Sequence, residues 1–210
     1  KLQAPFPWFG GKSKVASIVW ERFGNVPNYV EPFFGSGAVL LGRPHDPKKE
    51  TINDKDGYVA NFWRAVKDDP EGVAHYADNP VFENDLHARH IWLVDQKKDF
   101  VSRLEGDPHF YCSKTAGWWV WGQCSWIGGG WTSGKGPWVS EDGRLIKKDK
   151  PSGGIGRQRI HLGNAGMGVN RKFEPLLEWM ERLSDRLRYV RVCCGDWSRV
   201  VTNAVTTHHG

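Results

Sequence analysis

Apolar positions along the chain follow two spacings, one typical of helices and the other of buried strands. Apolar side chains recur three and four residues apart from Val15 to Phe23 and again from Phe173 to Leu183, which predicts two amphipathic helices. A short apolar run beginning at Tyr29 is typical of a buried strand instead. The elements predicted up to residue 104 are a helix at 13–23, a strand at 28–33, a helix at 37–42, a strand at 50–53, and helices at 56–67, 71–78 and 84–104.

Between about Phe110 and Asn170 the chain is rich in glycine and tryptophan and has few aliphatic residues. Strand and helix alternate on both sides of this segment, since a further strand is predicted between Tyr189 and Trp197. The pattern predicts an α/β domain that carries an insertion, with boundaries at 1–82, 83–170 and 171–210.

The segment from Tyr29 to Leu41 combines a buried strand, a glycine turn and the start of a helix. This is the junction at which a Rossmann-like sheet holds a nucleotide-sized cofactor, and Gly35 and Gly37 allow a tight turn there. Leu40 stands where a dinucleotide fingerprint requires a third glycine, which disfavours NAD or FAD. Asp54 follows about 20 residues later, where a carboxylate can bind both hydroxyls of a ribose.

A second glycine motif precedes the first predicted helix. Pro7 to Lys12 place an aromatic ring, two glycines and a cation there, and Gly11-Lys12-Ser13 is similar to the end of a phosphate-binding P-loop. The P-loop also requires a glycine at position 6, which is Phe6. The segment therefore does not favour an ATPase.

Three motifs in this order, W-x-G-G-K at Trp8, E-P-F-x-G-x-G at Glu31 and N-D at Asn53, resemble those of the Dam-like adenine-N6 DNA methyltransferases. A fourth match, Gly195-Asp196-Trp197, is similar to the end of that family's third strand. The resemblance implies a Rossmann-like class I methyltransferase sheet, S-adenosylmethionine as cofactor and methyl transfer to adenine in double-stranded DNA. The cofactor residues that it implies are Trp8, Gly11, Lys12, Glu31, Phe33, Gly35, Gly37, Asp54, Asp196 and Trp197.

The resemblance also gives these residues individual roles. Trp8 would flank the cofactor, Lys12 would lie near both cofactor and target base, and Glu31 and Phe33 would line the methionine end. Asp54 would hold the ribose, and Asp196 and Trp197 would lie beside the adenine. Each role has a structural alternative. Trp8 and Phe33 could belong to the core, Lys12 could be a solvated residue at a helix start, and Asp54 could form a turn at the end of a strand.

Six tryptophans lie close together in the middle segment: Trp118, Trp119, Trp121, Trp126, Trp131 and Trp138. They either form a core, alone or with the main domain, or present aromatic faces to nucleic acid while nearby cations bind phosphates. In the resembling family this place in the chain belongs to target recognition, so residues 83–170 are expected to form an inserted target-recognition subdomain. The DNA-contacting candidates are Lys12, Lys114, Lys135, Arg144, Lys147, Arg157 and Arg159.

The family's catalytic Asp-Pro-Pro-Tyr segment does not occur in the 210 residues. Its place in the chain order would follow Trp197 by one short helix, and so we expect the natural protein to continue beyond Gly210 and the strand at 28–33 to lie at an edge. A cytosine-N4 DNA methyltransferase and a non-catalytic DNA-binding module remain alternatives, with an NAD-linked oxidoreductase more distant.

Composition adds few constraints. A net charge of +5 and a pI near 9.0 are consistent with a polyanionic partner. The four cysteines lack C-x-x-C spacing and are expected to be reduced, and the histidines show no metal-ligand pattern, so no metal is expected. No apolar run approaches the roughly 18 residues of a membrane span, and a cytoplasmic location in a bacterial or phage-infected cell is expected.

Overall fold

The computed structural model describes residues 2–126, 130–134, 138–141, 144–147 and 175–207. Of the candidate DNA contacts, Lys135, Arg157 and Arg159 lie outside these ranges. Arg144 and Lys147 belong to a described strand, but their side chains are not among those described.

The first half of the described chain alternates strands and helices, and the second half adds two long helices before returning to the sheet. The helices are α1 (Ala16–Phe23), α2 (Ala38–Leu41), α3 (Gly57–Asp68), α4 (Pro70–Ala77), α5 (Glu83–Gly106), α6 (Ser113–Ser125), α7 (Leu176–Leu187) and α8 (Asn203–Thr206). The strands are β1 (Asn28–Glu31), β2 (Lys49–Asp54), β3 (Trp138–Glu141), β4 (Arg144–Lys147) and β5 (Val190–Cys194).

Three strands form a parallel sheet in the order β1-β2-β5, whereas β3 and β4 form a separate antiparallel pair. Glu31 lies opposite Ile52, and Asp54 lies opposite Cys194, so the three strands end at one edge. The predicted strands at 28–33 and 50–53 and the third strand before Trp197 are confirmed. Within the described residues β1 pairs with β2 alone, which agrees with its expected place at the edge.

The core lies where α3 packs against β2 and β5, with α6 and α7 packed in turn against α3. Trp63, Trp119 and Trp179 are almost fully buried and belong to one continuous apolar cluster. Helix α6 packs against α3 and α4, and α5 packs against α3 and α6. These helices thus share their core with the sheet, and the division at 83–170 stays a prediction.

Helix α6 lies in the segment rich in glycine and tryptophan, where the sequence predicted no helix, and its glycines serve close packing. A Cβ on Gly117 would lie 2.5 Å from Cβ of Tyr76, and one on Gly122 would overlap the ring of Trp131. Both glycines let helix and ring approach closely, at a modest cost in helix propensity. Trp119, Trp121 and Trp131 are buried, and so these three contribute to packing.

A buried ion-pair cluster holds β2 to its neighbours. Both carboxylate oxygens of Glu50 accept hydrogen bonds from Arg186 on α7, at 2.7 and 2.8 Å, and Oε1 also accepts one from Arg43 at 2.9 Å. Glu50 and Arg43 are almost fully buried, and Arg43 also donates to the carbonyl of Val26. The cluster joins α7 and the segment after α2 to the central strand.

All four cysteines are free. Among the helices in the described ranges, none combines the length and the apolar character that a membrane crossing requires.

Candidate functional site

The candidate site lies at the carboxyl edge of the sheet, where three loops meet. The backbone N–H of Phe34, after β1, donates to the carbonyl of Asn53 at 3.0 Å, and the N–H of Gly195, after β5, donates to the carbonyl of Asp54 at 3.0 Å. The Asn53 side chain, 1% exposed, bridges both neighbours by donating to the carbonyls of Pro32 and Gly195. The edge at which parallel α/β sheets bind ligands is therefore tightly ordered here.

The glycine turn after β1 requires residues without side chains. Gly35 and Gly37 have φ values of +53° and +73°, in the left-handed region. A Cβ on Gly35 would lie 2.5 Å from Cδ1 of Trp8, and the carbonyl of Gly35 accepts a hydrogen bond from the indole of Trp63 at 2.9 Å. The two indoles fix the turn, and Trp8, half-buried, thus lies against the motif with which the sequence predicted it to act.

Asp54 connects the end of β2 to this turn. One carboxylate oxygen accepts a hydrogen bond from the N–H of Gly35 at 2.8 Å, and the other accepts one from the N–H of Asp56 at 2.9 Å. Partial burial raises the pKa of Asp54 above its ordinary value, while these two hydrogen bonds oppose the rise. Each oxygen keeps a further lone pair with which to accept a hydrogen bond from a ligand hydroxyl.

Glu31 at the end of β1 is 6% exposed, and both of its carboxylate oxygens have partners. The Lys12 ammonium lies 3.2 Å from Oε1 and donates to the carbonyl of Phe33 at 2.7 Å. The hydroxyl of Tyr29 donates to Oε2 at 2.6 Å. Burial raises the pKa of Glu31, and the Tyr29 and Lys12 contacts oppose that rise.

The other predicted cofactor residues lie at the surface of this edge. Phe33 is 63% exposed and Trp197 is 48% exposed, so both rings offer apolar area to a ligand. Asp196 is exposed, and hydrogen bonds from the backbone and hydroxyl of Ser198 lower its pKa. The N–H of Gly11 closes a turn onto the carbonyl of Trp8 at 2.9 Å, which directs Lys12 toward β1.

Lys114 lies elsewhere. Its ammonium lies over the rings of Trp92 and Trp118, at 5.2 and 4.4 Å from their centroids. The structure thus brings Lys12 to the carboxyl edge of the sheet and places Lys114 where α5 and α6 pack together.

Three residues at this edge were given no role from the sequence, namely Tyr29, Asn53 and Trp63. A signal existed for Tyr29, because residues two apart on a strand face the same side, which places it beside Glu31. Trp63 offered no such signal, since its contact with Gly35 depends on the packing of α3.

Residues 8–105 match the family described as D12 class N6 adenine-specific DNA methyltransferase. A Type II methyltransferase of Methanocaldococcus jannaschii is 28% identical over 109 residues, which cover 48% of this chain and 36% of the relative. A Type II methyltransferase of Lactococcus lactis subsp. cremoris is 28% identical over 102 residues, covering 47% and 33%. A DNA adenine methylase of Vibrio cholerae is 27% identical over 100 residues, covering 48% and 35%.

The matched stretch spans about a third of the length of these curated relatives. It contains Trp8, Lys12, Glu31 and Asp54, the residues whose geometry defines the candidate site.

Proposed function

We propose, from the match of residues 8–105 to the D12 class methyltransferases, that this chain supplies the cofactor-binding part of a site-specific DNA methyltransferase. The proposed reaction moves a methyl group from S-adenosylmethionine to N6 of adenine in double-stranded DNA. The observation that carries the proposal is the meeting of two carboxylates, Glu31 and Asp54, with Lys12 and the glycine turn at one edge of a parallel sheet.

The residues at this edge fit the chemistry of S-adenosylmethionine. The cofactor carries an ammonium group, two ribose hydroxyls and a planar adenine. Glu31 offers a buried carboxylate to the ammonium, Asp54 offers acceptor oxygens to the hydroxyls, and Phe33 and Trp197 offer exposed aromatic faces. When bound, the cofactor supplies an electrophilic methyl group on its sulfonium.

In this proposal the residues of this chain bind the cofactor and orient it. The glycine turn, held by Trp8 and Trp63, brings the backbone close to the ligand without a side chain between them. Lys12 places a positive charge beside Glu31, where it can also attract a DNA phosphate. No proton-accepting role in the transfer is assigned to any of these residues.

A non-catalytic DNA-binding module is the second candidate, because the 210 residues contain no Asp-Pro-Pro-Tyr segment. A cytosine-N4 enzyme is a third candidate, since the choice between the two bases depends on that segment.

The test combines cofactor binding with identification of the product. The protein is incubated with labelled S-adenosylmethionine and unmethylated duplex DNA, and the DNA is digested to nucleosides. N6-methyladenine supports the proposal, whereas N4-methylcytosine supports the third candidate. Cofactor and DNA binding without transfer supports the second, and protection from thermal unfolding by NAD but not by S-adenosylmethionine would overturn all three.

A further inference from the structure

We infer that Tyr29 is a positioning residue for the cofactor, because its hydroxyl fixes the Glu31 carboxylate so that one oxygen faces the ligand. The inference rests on the proposed function, since it assigns the ammonium of the cofactor to Glu31. Tyr29 acts through Glu31 and is not itself assigned a contact with the cofactor.

The contact between Tyr29 and Glu31 is buried and constrained on both sides. Both side chains lie on one face of β1, are 4% and 6% exposed, and are joined by a hydrogen bond of 2.6 Å. The ring of Tyr29 packs on Trp20, with centroids 4.9 Å apart. The Trp20 indole is itself held by a hydrogen bond of 2.7 Å to the carbonyl of Val39. The phenol hydroxyl therefore has little freedom to move away from the carboxylate.

The two oxygens of Glu31 have different partners. Oε2 is held by the buried Tyr29, whereas Oε1 meets Lys12, whose side chain is 38% exposed. A solvent-accessible lysine can shift to admit a ligand ammonium, but a buried tyrosine cannot. Oε1 is thus the oxygen that meets the ligand, and its direction is set before binding. A side chain ordered in advance loses less conformational entropy when the ligand arrives.

The pKa of Glu31 depends on the charged and polar groups around it and can be measured without a ligand. The groups that face Glu31 are Tyr29, Lys12 and Asp54, and Tyr29 additionally faces Glu50 and Arg43. The hydrogen bond from Tyr29 lowers the pKa of Glu31 against the effect of burial. Removal of the hydroxyl is therefore expected to move the titration of Glu31 to higher pH.

The experiment compares Tyr29→Phe with Tyr58→Phe. Tyr58 is a matched control because it is fully buried and its hydroxyl donates to the carbonyl of Leu93, away from the site. Each variant removes the hydroxyl of a buried tyrosine and the hydrogen bond that it donates. Affinity for S-adenosylmethionine, measured by calorimetry, is expected to fall about tenfold in Tyr29→Phe and to stay unchanged in Tyr58→Phe. Titration of the Glu31 carboxyl carbon by NMR, assigned with Glu31→Gln, is expected to shift upward in Tyr29→Phe alone.

A double-mutant cycle guards against a purely structural effect. If Tyr29 acts through the carboxylate, adding Tyr29→Phe to Glu31→Gln changes cofactor affinity less than it does in the wild type. Equal affinity and equal Glu31 titration in wild type and Tyr29→Phe would overturn the inference and leave the proposed function standing. A wild-type protein that does not bind S-adenosylmethionine would overturn the proposed function, and the assignment of the ammonium would be lost with it.

Discussion

Replacement of Asp54 by alanine tests the proposed cofactor site most directly. The carboxylate holds the N–H groups of Gly35 and Asp56 at 2.8 and 2.9 Å and, in the proposed complex, also accepts the ribose hydroxyls. Loss of a hydrogen bond to a charged group costs about 1.5 to 3 kcal/mol. Affinity for S-adenosylmethionine is therefore expected to fall by about tenfold to hundredfold in Asp54→Ala.

The same change removes two internal hydrogen bonds, and so stability falls as well. Two hydrogen bonds to a charged group amount to about 3 to 6 kcal/mol of unfolding free energy, an upper bound because partial burial of the carboxylate offsets part of it. Asp54→Asn keeps one acceptor oxygen and is expected to lie between wild type and Asp54→Ala in both quantities. Calorimetry gives the affinity, and urea denaturation followed by tryptophan fluorescence gives the stability.

Asp56→Ala is the matched control, because Asp56 is a neighbouring acid that caps α3 by accepting from the N–H of Tyr58 at 2.9 Å. Its loss is expected to cost about 1 kcal/mol of stability and to leave cofactor affinity unchanged. If a folded Asp54→Ala protein bound the cofactor as tightly as wild type, the ribose would not be held by Asp54, and the site assignment would fail.

Three further predictions concern stability. Glu50→Gln leaves Arg43 and Arg186 without their carboxylate and is expected to lower the unfolding free energy by about 3 to 5 kcal/mol in urea denaturation. The control Asp185→Asn breaks an exposed ion pair and is expected to lower it by about 0 to 1 kcal/mol. Equal losses in the two variants would contradict the role of the buried cluster. Gly35→Ala and Gly10→Ala each place an alanine at a backbone position with positive φ, but only the Cβ at residue 35 meets an indole, that of Trp8. Gly35→Ala is therefore expected to lower the unfolding free energy by about 1 to 3 kcal/mol more than Gly10→Ala. Equal melting temperatures of the two variants would refute the close approach of Trp8 to the turn. Burial raises the pKa of Glu31 above the ordinary value of 4.5, which means that the folded protein favours the protonated side chain. This preference stabilises the fold below pH 4.5, and the stabilisation is lost as the pH rises through the raised pKa. The melting temperature of Glu31→Gln relative to wild type should therefore increase from about pH 4 to about pH 8, and a constant difference would contradict the burial effect.

Local patterns predicted most of the elements from residue 13 to 104, but not all of their ends. Helix 84–104 and strand 50–53 appear at Glu83–Gly106 and Lys49–Asp54. The predicted strand 28–33 ends at Glu31, because Pro32 provides no N–H for a ladder and the chain turns toward Asn53. Helix α6 was not expected, since it lies in the segment rich in glycine and tryptophan for which the sequence predicted no helix. Gly117 and Gly122 are sites of close packing within it.

The candidate site also has one part that local sequence predicted and another that depends on the tertiary structure. Glycine turns and strand-end acids are local properties, and the sequence therefore predicted Gly35, Gly37 and Asp54 as candidate residues, while the family resemblance added Glu31. The structure brings these four residues together at one edge of the sheet, and their binding role stays a prediction. The spacing along β1 places Tyr29 on the same face as Glu31. The contact of Lys12 with Glu31, and the position of the glycine turn between the indoles of Trp8 and Trp63, depend on long-range contacts that no spacing encodes. Only the tertiary structure decided these contacts, because side chains from separate elements reach the carboxyl edge only when the three parallel strands are in register.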